Sequence, residues 1–97
     1  MIESYLLLYQ TMNSLGKKWV VPLLIFLMIY DKKSFSSIKK SLRMTSRALS
    51  KKLKLLEALG LVEKIIIEGN RKVYYSLSSK GKNISKFLIG LESAIKN

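Results

Sequence analysis

Thr45-Ser46-Arg47-Ala48-Leu49-Ser50-Lys51-Lys52-Leu53-Lys54-Leu55-Leu56-Glu57-Ala58-Leu59-Gly60 is the stretch whose reading decides the fold. Leu49, Leu53, Leu56 and Leu59 recur three and four residues apart, the period of one buried helix face, with Leu55 on its flank. Thr45 is suited to cap the first turn, and Gly60 to stop the last. With the leucines pointing inward, Ser46, Arg47, Ser50, Lys51 and Lys54 share much of the opposite surface. A merely solvated face normally mixes signs, with Glu supporting Lys one turn on. Here no acid precedes Glu57, and Arg47 sits in the first turn, where the helix macrodipole disfavours a cation. The residue choice costs helix stability and so points outward, to an anionic partner. A helix laid in a DNA major groove fits it: Arg can bind guanine bidentately, Ser and Thr reach base edges or phosphates, and Lys neutralises phosphates.

Toward the C-terminus, 62–67 is β-branched and reads as a strand. Glu68-Gly69-Asn70-Arg71 carries turn chemistry, and 72–77 reads as the return strand. Ser78 then caps a last helix in which Ile84, Phe87 or Leu88, Leu91 and Ile95 keep helical spacing. Toward the N-terminus, Ser36 is expected to cap a short helix ending near Leu42, after a very short strand at Ser34-Phe35. Residues 18–30 read as a core helix with Pro22 in its first turn, where a missing N–H does least harm. Residues 2–15 form a first helix with two apolar stripes, Tyr5-Leu8-Met12-Leu15 and Ile2-Leu6-Tyr9, ended by Gly16. The order is helix, helix, short strand, helix, helix, hairpin, helix. The expected fold is a winged helix-turn-helix, mainly α with a small antiparallel β-wing, carrying an extra helix at each end (1–16 and 79–97).

The 97 residues suit one domain, 1–97. Lys and Arg number 18 against 6 Asp and Glu, a net charge of +12. Such an excess repels itself without an anionic partner. Nine of these basic residues fall between Lys32 and Leu56 with no acid among them. The chain has no Cys and no His, and its acids are scattered singly. Disulfides, thiol switches and the usual metal-ligand spacings are thereby excluded, and neither a metal nor a cofactor is expected. The supply of general acids and bases is poor for an enzyme. The longest apolar run, 19–30, is shorter than the ~20 residues a bilayer span needs. No membrane role is expected, and the expected compartment is the cytoplasm, at the nucleoid.

Beyond the long basic helix, Ser36, Lys39, Lys40 and Arg43 extend the charge toward its N-terminal side. Asn70, Arg71 and Lys72 put polar and basic groups beside the hairpin turn, where a wing commonly lies along the backbone or in a minor groove. Lys17 and Lys18 precede the core helix, where N–H groups could meet a phosphate. Trp19 reads as a core anchor. Gly90 weakens the last helix by ~1 kcal/mol relative to Ala, which reads equally as a tolerated helix defect or as room for close helix approach in a dimer.

Three segments together resemble the HxlR-type transcriptional regulators: Leu15-Gly16-Lys17-Lys18-Trp19-Val20, Ser34-Phe35-Ser36-Ser37-Ile38, and Thr45 through Val62 with its Glu57-Ala58-Leu59-Gly60-Leu61-Val62 ending. Tyr75-Ser76-Leu77-Ser78-Ser79-Lys80-Gly81 is similar to the segment closing their wing. The resemblance spans 15–81, in the family's order and spacing. It implies a homodimer built from the terminal helices on a two-fold symmetric operator, with Thr45, Ser46, Arg47, Ser50 and Lys51 facing DNA. The residues expected at that dimer interface are Tyr5, Leu8, Tyr9, Met12, Phe87, Leu88, Leu91 and Ile95. Members that sense electrophiles or oxidants use a cysteine near the N-terminus, which this chain lacks, and its wing is short and without proline.

The partner expected first is double-stranded DNA, read in sequence-specific fashion. Two alternatives use the same residues: a non-specific architectural DNA binder, and a winged-helix module that docks an acidic protein. RNA fits less well, because no aromatic stacking platform is interleaved with the basic residues. The sequence identifies no small-molecule effector.

Overall fold

The computed structural model describes residues 2–69 and 71–96; Asn70, expected at the wing, lies outside them. A 3-10 turn at Ile2–Tyr5 leads into α1 (Leu6–Leu15) and α2 (Val20–Tyr30). There follow β1 (Lys33–Ser34), α3 (Phe35–Leu42), α4 (Ser46–Ala58), β2 (Val62–Ile66), β3 (Val73–Leu77) and α5 (Ser79–Lys96). The architecture is mainly helical with a small antiparallel sheet, a winged helix-turn-helix with an added helix at each end. The strand order is β1-β3-β2, so the short β1 joins the hairpin as a third strand. Its ladder pairs Lys33 with Tyr75 and Ser34 with Tyr74.

The α4 leucines do what their spacing predicts. Leu49, Leu53 and Leu56 are at most 1% exposed and meet Val20, Leu23, Leu24 and Leu27 of α2 in the same core. Apolar all round, α2 is the central core helix. Ile38, Met44, Leu61, Val62, Tyr75 and Leu77 close the core from α3, the wing and the loops. Burial raises the Tyr75 phenol above its usual range, with the Glu57 carboxylate adding to the effect, so it is a neutral core group. No helix among the described residues is long and apolar enough to cross a membrane; α1 and α2 are bent by 82° at their break.

Several boundaries differ from expectation. Ser34, not Ser36, caps α3: its Oγ accepts from the Ser37 N–H at 3.2 Å. Both serines are competent caps, but the β1 ladder holds Ser34 in the extended conformation a cap requires. The short strand accordingly lies at Lys33–Ser34, one residue earlier than expected. The first helix begins as a 3-10 turn. The second starts at Val20 because Trp19 takes a left-handed φ of 73°. Half-buried against the core, Trp19 serves as the expected anchor. Gly16 ends α1 in right-handed conformation, whereas Gly60 supplies the positive φ (74°) after α4. Leu59 is the half-buried residue that closes α4 rather than a full member of its stripe.

The end of α4 is tied to α5 through one serine. Ser78 Oγ donates to the Gly60 carbonyl at 2.6 Å and accepts from the Gly81 N–H at 3.0 Å, while Ser78 N–H donates to the Leu61 carbonyl at 3.0 Å. Gly81 is buried so tightly here that a Cβ would collide with the Leu61 carbonyl oxygen. These contacts tie the start of α5 to the loop after α4, and α5 packs chiefly on α2 and also on β3.

Candidate nucleic-acid interface

Thr45 accepts from the Ala48 N–H at 3.1 Å, so it caps α4 through an oxygen lone pair. Its exposed hydroxyl keeps its proton for a partner outside the chain. One residue on, Ser46 and Arg47 occupy the first turn, both exposed. Lys51 and Lys54 follow at helical spacing on the same face, also exposed. Ser50 is half-buried and stands on the flank of this stripe, whereas the half-buried Lys52 lies beside the leucine face.

Helix α3 carries the charge past the turn. Ser36, Lys39 and Lys40 are exposed and, with Met44, line one open concavity of about 440 Å³. Arg43 closes α3 in left-handed conformation (φ 54°), its N–H bonded to the Lys39 carbonyl, with its side chain exposed. Ser36 also lines a second concavity of about 290 Å³, shared with Arg71, Lys72 and Val73 of the wing. One serine thus joins the tip-side start of β3 to the start of the helix-turn-helix. This juxtaposition is not readable from the sequence, where Ser36 and Arg71 are 35 positions apart. Gly69 (φ 95°) and Arg71 (φ 55°) bend the wing tip, and Arg71 and Lys72 are exposed.

Among the described residues, Lys39, Lys40, Arg43, Arg47, Lys51 and Lys54 make no ion pair. The two earliest basic residues of the cluster behave differently. Lys33 Nζ lies 5.5 Å from the Tyr30 ring centre and Lys32 Nζ 5.6 Å from that of Tyr74. Their charges are engaged by aromatic faces at the edge of the sheet. Lys17 and Lys18 are exposed in the turn before α2. Met44 is the residue of this region that sequence reasoning left out; it is buried, and its signal was hidden in the turn between α3 and α4.

A second uncovered surface is apolar. Tyr5, Leu8, Tyr9 and Met12 of the N-terminal segment are about half exposed, and Phe87 and Ile95 of α5 are 75% exposed. Leu8, Met12, Phe87, Leu88 and Leu91 come together in one groove of about 330 Å³ between α1 and α5. Tyr5, Tyr9 and Ile95 lie outside that groove. Leu88 also packs partly against the chain's own core. Among the described residues nothing stands within 4 Å of a Cβ placed at Gly90, so none of them requires its small size. Among the described residues, no three acids lie close enough together to hold a metal ion.

With this geometry in hand, the chain can be set beside known proteins. Residues 14–97 match the model of a family described as HxlR-like helix-turn-helix. The uncharacterized HTH-type transcriptional regulator YvaP of Bacillus subtilis (strain 168) is 35% identical over 81 residues, covering 81% of this chain and 74% of YvaP. A transcriptional regulator homologue from Pyrococcus horikoshii OT3 superposes with a TM-score of 0.77 at 29% identity, over 87% of this chain and 86% of that one. The reduced form of the transcriptional regulator YodB from B. subtilis gives 0.76 at 26% identity, over 88% and 84%.

Proposed function

The chain belongs to the HxlR-like helix-turn-helix family, and we propose that it is a transcriptional regulator that binds specific duplex DNA as a homodimer, with α4 in the major groove. The observation that carries this reading is the outward face of α4. Ser46, Arg47, Lys51 and Lys54 are exposed there, and the three cations have no ion-pair partner among the described residues. Arg47 and the neighbouring Ser46 and Ser50 are assigned to base edges, with Thr45 beside them. Lys39, Lys40, Arg43, Lys51, Lys54, Arg71 and Lys72 are assigned to phosphates, as are the hydroxyl of Ser36 and the amide of Asn70. The joined concavities at Ser36 support a continuous path from wing to helix. Positions of this kind fix register, while base contacts carry sequence information.

The homodimer is supported by the apolar surface of α1 and α5, which the chain's own packing leaves open. Two copies related by a two-fold axis would set their α4 helices into successive major grooves, about 34–36 Å apart. On this reading the protein works in the cytoplasm, at the nucleoid.

Selection of bound sequences from a random duplex pool tests the reading. A symmetric motif with two half-sites one helical turn apart is the expected result. Binding without enrichment would instead mean a non-specific architectural protein. Absence of binding at low salt would leave the basic face without its nucleic-acid partner and overturn the reading altogether.

A further inference from the structure

Between α1, the end of α4 and the start of α5 lies a separate cavity of about 110 Å³. Its walls are Leu15 and Leu61, both buried, Leu59 and Ile84, half-buried, and the exposed Leu7 on its open side. Its polar lining comes from Thr11, Ser14 and Lys80. The two hydroxyls are already committed: Thr11 donates to the Leu7 carbonyl at 2.8 Å and Ser14 to that of Gln10 at 3.3 Å. Lys80 is different. Its Nζ donates to the Leu59 carbonyl at 3.2 Å, which uses one of three ammonium donors. An apolar chamber with a single cation at its lip, holding two donors in reserve, is complementary to a molecule with an apolar tail and one anionic head.

We propose that this cavity binds a small aliphatic carboxylate, with the tail among the leucines and the carboxylate on Lys80. The volume sets the size: a cavity of about 150 Å³ takes a benzene ring, so this one, with the carboxylate outside at the lip, suits an alkyl tail of roughly four to five carbons. The carbonyl partner positions the exposed ammonium at the lip of the cavity. The head group would then be bridged to the residue that closes α4.

The test uses the full chain and hexanoate as probe, read by methyl NMR and calorimetry. Saturable binding with shifts concentrated at Leu15, Leu61 and Ile84 is expected. Hexanol, with the same tail and no charge, should bind at least tenfold more weakly, and acetate should produce no such shifts. Lys80→Gln should bring hexanoate down to the level of hexanol while leaving hexanol unchanged, and Lys80→Arg should keep the preference. If Lys80→Gln disturbs the fold, the hexanoate-to-hexanol ratio in the unaltered protein still decides the matter. Equal binding of the two probes, shifts spread over the basic surface, or no saturation would each overturn the proposal.

Discussion

The outward face of α4 and the outward faces of α1 and α5 are both left uncovered, for opposite physical reasons. On α4, cations stand in water without internal partners. On α1 and α5, large apolar side chains stand in water, several of them around one groove. A charged face of one sign destabilises a fold by self-repulsion and gains most from a polyanion. An apolar face gains most from being covered by another apolar face. The contrast is the ground for proposing different partners for the two surfaces. A polyanion fits the first, and a second copy of the chain fits the second.

Substitutions can break this division. The largest effect should come from the inward side of α4. Leu53→Ala leaves a cavity beneath the helix and should cost about 2–5 kcal/mol in denaturant unfolding, removing both surfaces together. Phe87→Lys should act on the apolar surface alone. Self-association by sedimentation should weaken about a hundredfold, corresponding to ~3 kcal/mol, with an unchanged circular dichroism spectrum. Unaltered association would place the partner surface elsewhere. Thr45→Ala removes the α4 cap and should cost about 1 kcal/mol of stability. Lys51→Ala should be the mildest, weakening all duplexes alike and lowering the salt slope of binding by about one.

Much of this contrast was legible beforehand because it rests on local periodicity. The leucine stripe, the Thr45 cap and Gly60 bound α4 from neighbouring residues alone. The basic cluster was legible for the same reason. What escaped depended on contacts between distant segments. Choosing Ser34 over Ser36 as a cap requires the pairing of β1 with β3, forty positions apart. The need for glycine at position 81 arises only from the Leu61 carbonyl pressed against it. Lys32 and Lys33 looked equivalent to the other basic residues until the structure set them against the Tyr74 and Tyr30 rings. The path from wing to α3 through Ser36 is likewise a property of the fold.

The central claim is that the exposed charge on α4 reads DNA, with Arg47 contacting bases. Its most direct test is fluorescence anisotropy with a selected duplex and a scrambled one, for the unaltered protein and Arg47→Ala. The account predicts a loss of about 1–3 kcal/mol on the selected duplex, roughly 5- to 150-fold, with the scrambled duplex nearly unchanged. An equal loss on both would make Arg47 a phosphate clamp and contradict its assignment to base reading.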